Sequence, residues 1–168
     1  SPTLTFVNLQ GLGEPFLHKD IFKMISFASK KRIFTFTFTN SYFLSTKTIR
    51  NINNSGLNLL VMSYDDNKFS SYKLRKHTSD FHAKLKKIRS NESYPEFIGI
   101  SITVNTLNFK RLKQIVNSCM IHKIDVVFLN FLDVSKHNVD IEKLAVSRTS
   151  ENIKYISDFM AYLYNEGI

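Results

Sequence analysis

Cysteine is almost missing from this 168-residue chain, which has a single thiol, Cys119. A lone thiol excludes an internal disulfide and any cluster held only by thiolates of this chain, and it reads as a buried packing residue. No apolar run approaches the ~18 residues that cross a bilayer, and the first residues show no cleavable-signal pattern. There is no His-x-x-x-His pair, and His77 and His82 are five apart, off one helix face. The histidines read as surface or loop residues, with His18 as a helix-start contact. Also absent are a Gly-x-Ser-x-Gly nucleophile elbow, low-complexity segments, linkers and sequence repeats. These absences lead to the expectation of a cytoplasmic protein with no membrane partner.

The composition that remains is globular: 43% hydrophobic, with 15 Phe and 7 Tyr, enough to bury the core of one domain over residues 1–168. Lys and Arg outnumber Asp and Glu by 23 to 14, and the formal charge of +9 raises nucleic acid as a partner. Yet the cations are spread over predicted helices (Lys30, Lys31, Arg32; Lys84, Lys86, Lys87, Arg89; Lys110, Arg111, Lys113), a pattern that fits solvated helix faces.

Strand and helix signals alternate. Strands are expected at Thr3–Gln10, Ile33–Asn40, Leu57–Asp66, Phe97–Asn105 and Ile124–Leu132. Helices are expected at about Lys19–Lys31, from a Ser45 cap to Gly56, at Ser79–Arg89, Leu107–Lys123 and Glu151–Asn165, while Val134–Thr149 is ambiguous. Five strand–helix pairs argue for an α/β protein with a parallel sheet.

Strands covered on both faces of a parallel sheet should be almost wholly apolar, but these alternate. Phe34, Phe36 and Phe38 oppose Thr35, Thr37 and Thr39, and Ile100, Ile102 and Val104 oppose Ser101, Thr103 and Asn105. Ser63 shares a face with Asp65, Asn8 with Gln10, and Asn130 interrupts the fifth strand. Polar groups gathered toward five strand ends predict a wet, ligand-binding concavity at the C-terminal side of the sheet. The adjacent Asp65 and Asp66 suit solvent or the next helix better than a cation.

The first strand runs into "LQGLGEPFLH", residues 9–18. Phosphate is a poor match: the Lys and Ser/Thr of a P-loop are missing, the third glycine of a dinucleotide fingerprint would be Phe16, and Glu14 would repel pyrophosphate. A carboxylate beside open backbone suits an ammonium group. Gly11 and Gly13 permit close approach, and Pro15 fixes the chain at a helix start.

"GLGEPFLHKDIFKMISFASKKRIFTFTFTN" resembles the second and third β/α units of radical S-adenosylmethionine enzymes. "TNSYFLS" resembles their Thr-Asn-Gly-x-x-Leu segment, "LNLLVMSYDD" their fourth strand with its Ser-x-Asp, and "YKLRKHTSDFHAKLKKIRS" their Arg-containing stretch before the fourth helix. "ISITVNTLNFKRLKQIVNSCMIHKIDVVFLNFL" is similar to the fifth and sixth units, so the resemblance covers about residues 3–133. It implies a partial (β/α) TIM-like barrel with parallel strands, the second to sixth β/α units. It further implies that Gly11, Gly13, Glu14 and Pro15 bind the methionyl amine of S-adenosylmethionine. Thr39 and Asn40 would face the ligand end, and Ser63 and Asp65 would line the pocket. Arg75 would meet the methionyl carboxylate, and Thr103 and Asn105 would lie near ribose or adenine.

The family's Cys-x-x-x-Cys-x-x-Cys loop, which holds a [4Fe–4S] cluster open at one iron, has no counterpart in this sequence. Ser1-Pro2 stands almost at the family's second strand, so the first β/α unit is absent and a missing N-terminal segment is expected to supply it. Complete, the resemblance implies reductive cleavage of the cofactor to a 5′-deoxyadenosyl radical, a reductase as electron donor, and a peptide, protein or small-molecule substrate. The alternatives are a catalytically inactive binding module of the same fold and an unrelated α/β RNA-binding protein.

Overall fold

The structure, a computed structural model, describes residues 4–64, 78–90, 95–132 and 139–168. Its strands are β1 (Phe6–Asn8), β2 (Phe34–Thr39), β3 (Leu59–Tyr64), β4 (Phe97–Val104) and β5 (Val126–Phe131). The helices are α1 (Ile21–Lys30), α2 (Thr46–Ser55), α3 (Thr78–Arg89), α4 (Leu112–Met120), α5 (Val139–Leu144) and α6 (Ser150–Asn165). Local chemistry sets several boundaries. Ser45 caps α2 by accepting the Thr48 N–H at 3.1 Å, and Gly56 ends it in the left-handed region at φ 81°. Thr149 caps α6 through the Asn152 N–H. The ambiguous stretch at 134–149 contains α5.

All five strands are parallel and lie in the order β1-β2-β3-β4-β5, each next to its sequence neighbour. Sequential parallel order with helices on one side curls the sheet into a half-barrel, a partial TIM-like α/β fold. The aromatic rings record the curl. Phe38 on β2 and Phe128 on β5 are separated by two intervening strands, about 14 Å on a flat sheet. Their ring centroids are only 5.1 Å apart, in an edge-on contact. Phe34 meets Phe97 of β4 at 6.3 Å with its ring tilted.

The pairing register then sorts every strand residue. Phe6, Phe34, Phe36, Phe38, Leu59, Val61, Ser63, Phe97, Ser101, Thr103, Phe128 and Asn130 share the concave face. The opposite face carries Leu60, Met62, Ile98, Ile100, Ile102 and Val104, all buried. Against it pack Ile21 and Ile25 of α1, Ile49 and Ile52 of α2, Leu85 and Ile88 of α3, Leu112, Ile115 and Cys119 of α4, and Phe159 and Leu163 of α6. This helix-covered layer is the hydrophobic core.

Strand β2 overturns the expectation of a polar concave face in all five strands. Its phenylalanines point into the concavity, while Thr35, Thr37 and Thr39 are buried toward the helices. Each hydroxyl has a partner: Thr35 with Asn58 Oδ1, Thr37 with the Leu9 carbonyl at 2.8 Å, and Thr39 with Glu14 Oε1 at 2.7 Å. Small side chains fit under the helices, bulky rings fill the wide lumen, and bonding removes the penalty of burying the hydroxyls.

Candidate functional site

The loop after β1 crosses the C-terminal end of the sheet. Gly11, Leu12 and Gly13 are exposed. Neither glycine has positive φ, and a Cβ placed on either would meet nothing within 4 Å. The chain's own packing therefore does not demand glycine at either position, and the backbone stands open to approach from outside. Pro15 is buried at the start of a single 3-10 turn, Pro15–Leu17, which leads into α1. Phe16 stacks on Phe22 at 5.8 Å and holds that turn to the helix. His18 is the helix-start contact that the sequence suggests, its Nδ1 accepting the Asp20 N–H at 3.2 Å.

Glu14 is the centre of the arrangement. Its half-buried carboxylate accepts the Thr39 hydroxyl on Oε1 at 2.7 Å and the Asn40 backbone N–H on Oε2 at 2.9 Å. The loop after β1 is thereby clamped to the end of β2. A carboxylate has about four lone-pair sites. Two are taken, and each oxygen keeps capacity toward a cationic donor. The Thr39 oxygen also accepts the Ser41 N–H at 3.1 Å, and Ser41 is held at φ 66°.

Beside this clamp the concave face turns polar. Ser63 is registered with Ser101, and Thr103 with Asn130. Asn130 donates to Ser101 Oγ at 2.7 Å, and Thr103 is exposed. Asn105 is engaged locally: its Oδ1 accepts the Leu107 N–H at 2.9 Å and its Nδ2 donates to the Thr103 carbonyl, closing the turn after β4. Gly11, Gly13, Glu14, Pro15, Thr39 and Asn40 thus converge, with Ser63 and Thr103 on the concave strands beside them. Asp65 and Arg75, together with Asp66 and His77, lie outside the described residues.

Two sequence expectations change on the helix side. His82 is half-buried rather than fully at the surface. Its ring lies 5.2 Å from that of His122 and edge-on to Phe81. Burial, then the neighbouring His122, lowers the His82 pKa; burial, then Lys86, lowers that of His122. Lys84 is not a solvated helix cation either. Its side chain is 14% exposed, pairs with Asp80 at 2.7 Å and donates to the Ser41 carbonyl at 2.8 Å. Its only sequence signal is that it lies on α3 beside the core positions Phe81, Leu85 and Ile88.

A separate cavity of about 760 Å³ lies between the end of β5 and α6, lined by Phe109, Phe131, Val146, Arg148, Ile153 and Ile156. None of the residues selected from the sequence borders it.

The chain is similar in fold to SuiB. The SuiB structure from Streptococcus suis bound to S-adenosylmethionine superposes with a TM-score of 0.69 at 18% identity, over 94% of this chain and 37% of that one. SuiB bound to its precursor peptide SuiA gives 0.67 at 17%, over 95% and 36%. A third SuiB structure gives 0.69 at 19%, over 94% and 36%. This chain therefore spans little more than a third of SuiB, and at such identity the likeness is one of fold. No family model matches the chain, and no curated protein matches it.

The donor set decides which groups the residues suit. An ammonium finds an oriented carboxylate and open glycine backbone. A [4Fe–4S] cluster needs thiolates, and Cys119 is wholly buried under the sheet, its thiol pushed up to about 11 by burial. Among the described residues no three His, Cys, Asp or Glu side chains group to hold a metal. The described residues do not fit a cluster.

Proposed function

We propose that this chain is the S-adenosylmethionine-binding part of a radical S-adenosylmethionine core, with Glu14 receiving the methionyl ammonium. The observation that carries the reading is the Glu14 carboxylate, fixed by Thr39 and Asn40 at the C-terminal end of a parallel half-barrel beside two glycines that packing does not demand. The cofactor would supply the reactive carbon chemistry of the whole enzyme. This chain's residues bind and orient: Glu14 and the Gly11–Gly13 backbone hold the amine end. Ser63, Ser101, Thr103 and Asn130 offer neutral hydrogen-bonding groups to the nucleoside, with Asp65 and Arg75 as further candidates. The phenylalanine floor closes the lumen below them.

A peptide or protein is the substrate class in this reading, supported by the SuiB structure that holds SuiA. Iron–sulfur chemistry and its reductase would require cysteines from outside this sequence, in a segment preceding the described barrel. No helix among the described residues is long and apolar enough to cross a membrane, and the cytoplasm is the proposed location. A second reading, a binding module without radical chemistry, is favoured by one observation: the single cysteine is locked in the core.

Calorimetric titration with S-adenosylmethionine tests the binding claim. Glu14→Ala removes one charge-assisted contact of about 1.5–3 kcal/mol, so affinity should fall roughly ten- to a hundredfold. Unchanged affinity in a folded variant would sink the amine-site assignment.

A further inference from the structure

The amine site is not supported by the barrel strands alone; a second element reaches it from behind. Three hydrogen bonds run in series from α3 to Glu14, and a fourth joins the adjoining backbone to the same carboxylate. The Lys84 ammonium donates to the Ser41 carbonyl at 2.8 Å, the Ser41 N–H donates to Thr39 Oγ1 at 3.1 Å, the Thr39 hydroxyl donates to Glu14 Oε1 at 2.7 Å, and the adjoining Asn40 N–H donates to Oε2 at 2.9 Å. Ser41 is at φ 66°, a conformation that a serine adopts only when its surroundings impose it. The ammonium on its carbonyl is one of the contacts that hold it there, and the Ser41 N–H in turn fixes the Thr39 oxygen whose hydroxyl meets the carboxylate.

We propose that Lys84 is a positioning residue for the Glu14 site and that Asp80 makes this possible by neutralising it. The inference rests on the reading of Glu14 as an ammonium receptor. A bare lysine ammonium behind that receptor would compete for the same carboxylate charge and repel a cationic ligand. Asp80, at 2.7 Å from Lys84, offsets that charge. The cluster Glu14, Lys84 and Asp80 then carries one net negative charge, the sign an ammonium requires. Lys84 shapes the site without touching the ligand.

The experiment compares wild type, Lys84→Met, Asp80→Asn and Glu14→Ala by two readouts: S-adenosylmethionine affinity, and hydrogen-exchange protection of the Asn40 amide by NMR. Lys84→Met should cut affinity roughly tenfold, the equivalent of one hydrogen bond's worth of positioning, and should speed Asn40 exchange while α4 and α6 amides stay protected. Asp80→Asn should move both readouts the same way by less, and it serves if Lys84→Met does not fold. Wild-type affinity and Asn40 protection in a folded Lys84→Met protein, with Glu14→Ala defective, would overturn the role of Lys84 alone. If wild type binds no S-adenosylmethionine, the reading of Glu14 fails, and Asn40 protection decides the strap by itself: faster exchange in Lys84→Met upholds it and unchanged exchange overturns it.

Discussion

Replacing Ser41 by glycine should stabilise the protein, against the usual sign of a change at a buried position. Ser41 is 3% exposed, its φ is 66°, and its hydroxyl is buried with no hydrogen-bond partner among the described residues. Releasing an L-residue from the left-handed region returns about 1–2 kcal/mol, and removing an unpaired buried hydroxyl returns about 1–3 kcal/mol. Against this, glycine frees the unfolded chain at about 0.5–1 kcal/mol, and one buried methylene is lost at about 0.8 kcal/mol. The balance is a gain of roughly 0–4 kcal/mol, centred near 2, which at a urea slope of about 2 kcal/mol/M moves the midpoint up by about 1 M. Urea unfolding followed by circular dichroism measures it; Ser41→Ala, which keeps the strain but also loses the unpaired hydroxyl, reads out the hydroxyl's share of about 1–3 kcal/mol alone. A midpoint that falls in Ser41→Gly would refute the claim that this turn is strained, and with it the argument that Lys84 and Glu14 hold the strain in place.

Two further predictions rest on titratable groups that are half-buried, as with the two histidines, or buried, as with Cys119. Both His82 and His122 have folded-state pKa values below the ordinary 6.5 of a histidine, so the unfolded chain binds more protons just below that pH. Stability is therefore complete above about pH 6.5 and falls as the pH drops below it; the urea midpoint should be lower at pH 5.5 than at pH 7.5. The double variant His82→Phe, His122→Phe should flatten that slope, and an unchanged slope would contradict the assignment. With its thiol at about 11, native Cys119 has on the order of one part in a few thousand as thiolate at pH 7.5. It should resist maleimide until the protein unfolds, and rapid labelling of folded protein would contradict its burial.

The elements that could be read from the sequence were those with local chemical signals. Ser45 and Gly56 bracket α2 because a hydroxyl acceptor and a left-handed glycine are needed at those positions wherever the helix sits. The alternation in "IFTFTFTN" likewise specified a strand with two unlike faces. Which face looked into the lumen was not a local matter. It depended on the curl of the sheet, which seats the rings of Phe34 and Phe38 against β4 and β5 residues about 60–90 positions away and leaves the threonines to the helices. At β3, β4 and β5 the polar residues do face the lumen, because there the apolar partners, Ile100 and Ile102 among them, are large enough to fill the helix layer.

The candidate site divides in the same way. Gly11, Gly13, Glu14 and Pro15 are contiguous, and their chemistry could be weighed as a unit. Thr39 ends the next strand, Asn40 follows it, and both were reachable by resemblance. Lys84 carries no such signal: in sequence it is one cation in a basic helix, and only the approach of α3 to the β2 turn gives it the Ser41 carbonyl as a partner. Asn105 shows the converse, a polar residue at a strand end whose side chain closes its own turn.

The most direct test of the central claim compares S-adenosylmethionine with 5′-methylthioadenosine, which keeps the nucleoside and lacks the methionyl amine and carboxylate. If Glu14 receives the amine, wild type should prefer S-adenosylmethionine by roughly tenfold or more, and Glu14→Ala should lose most of that preference. Equal affinity of wild type for the two ligands, or a preference that survives intact in Glu14→Ala, would contradict the assignment.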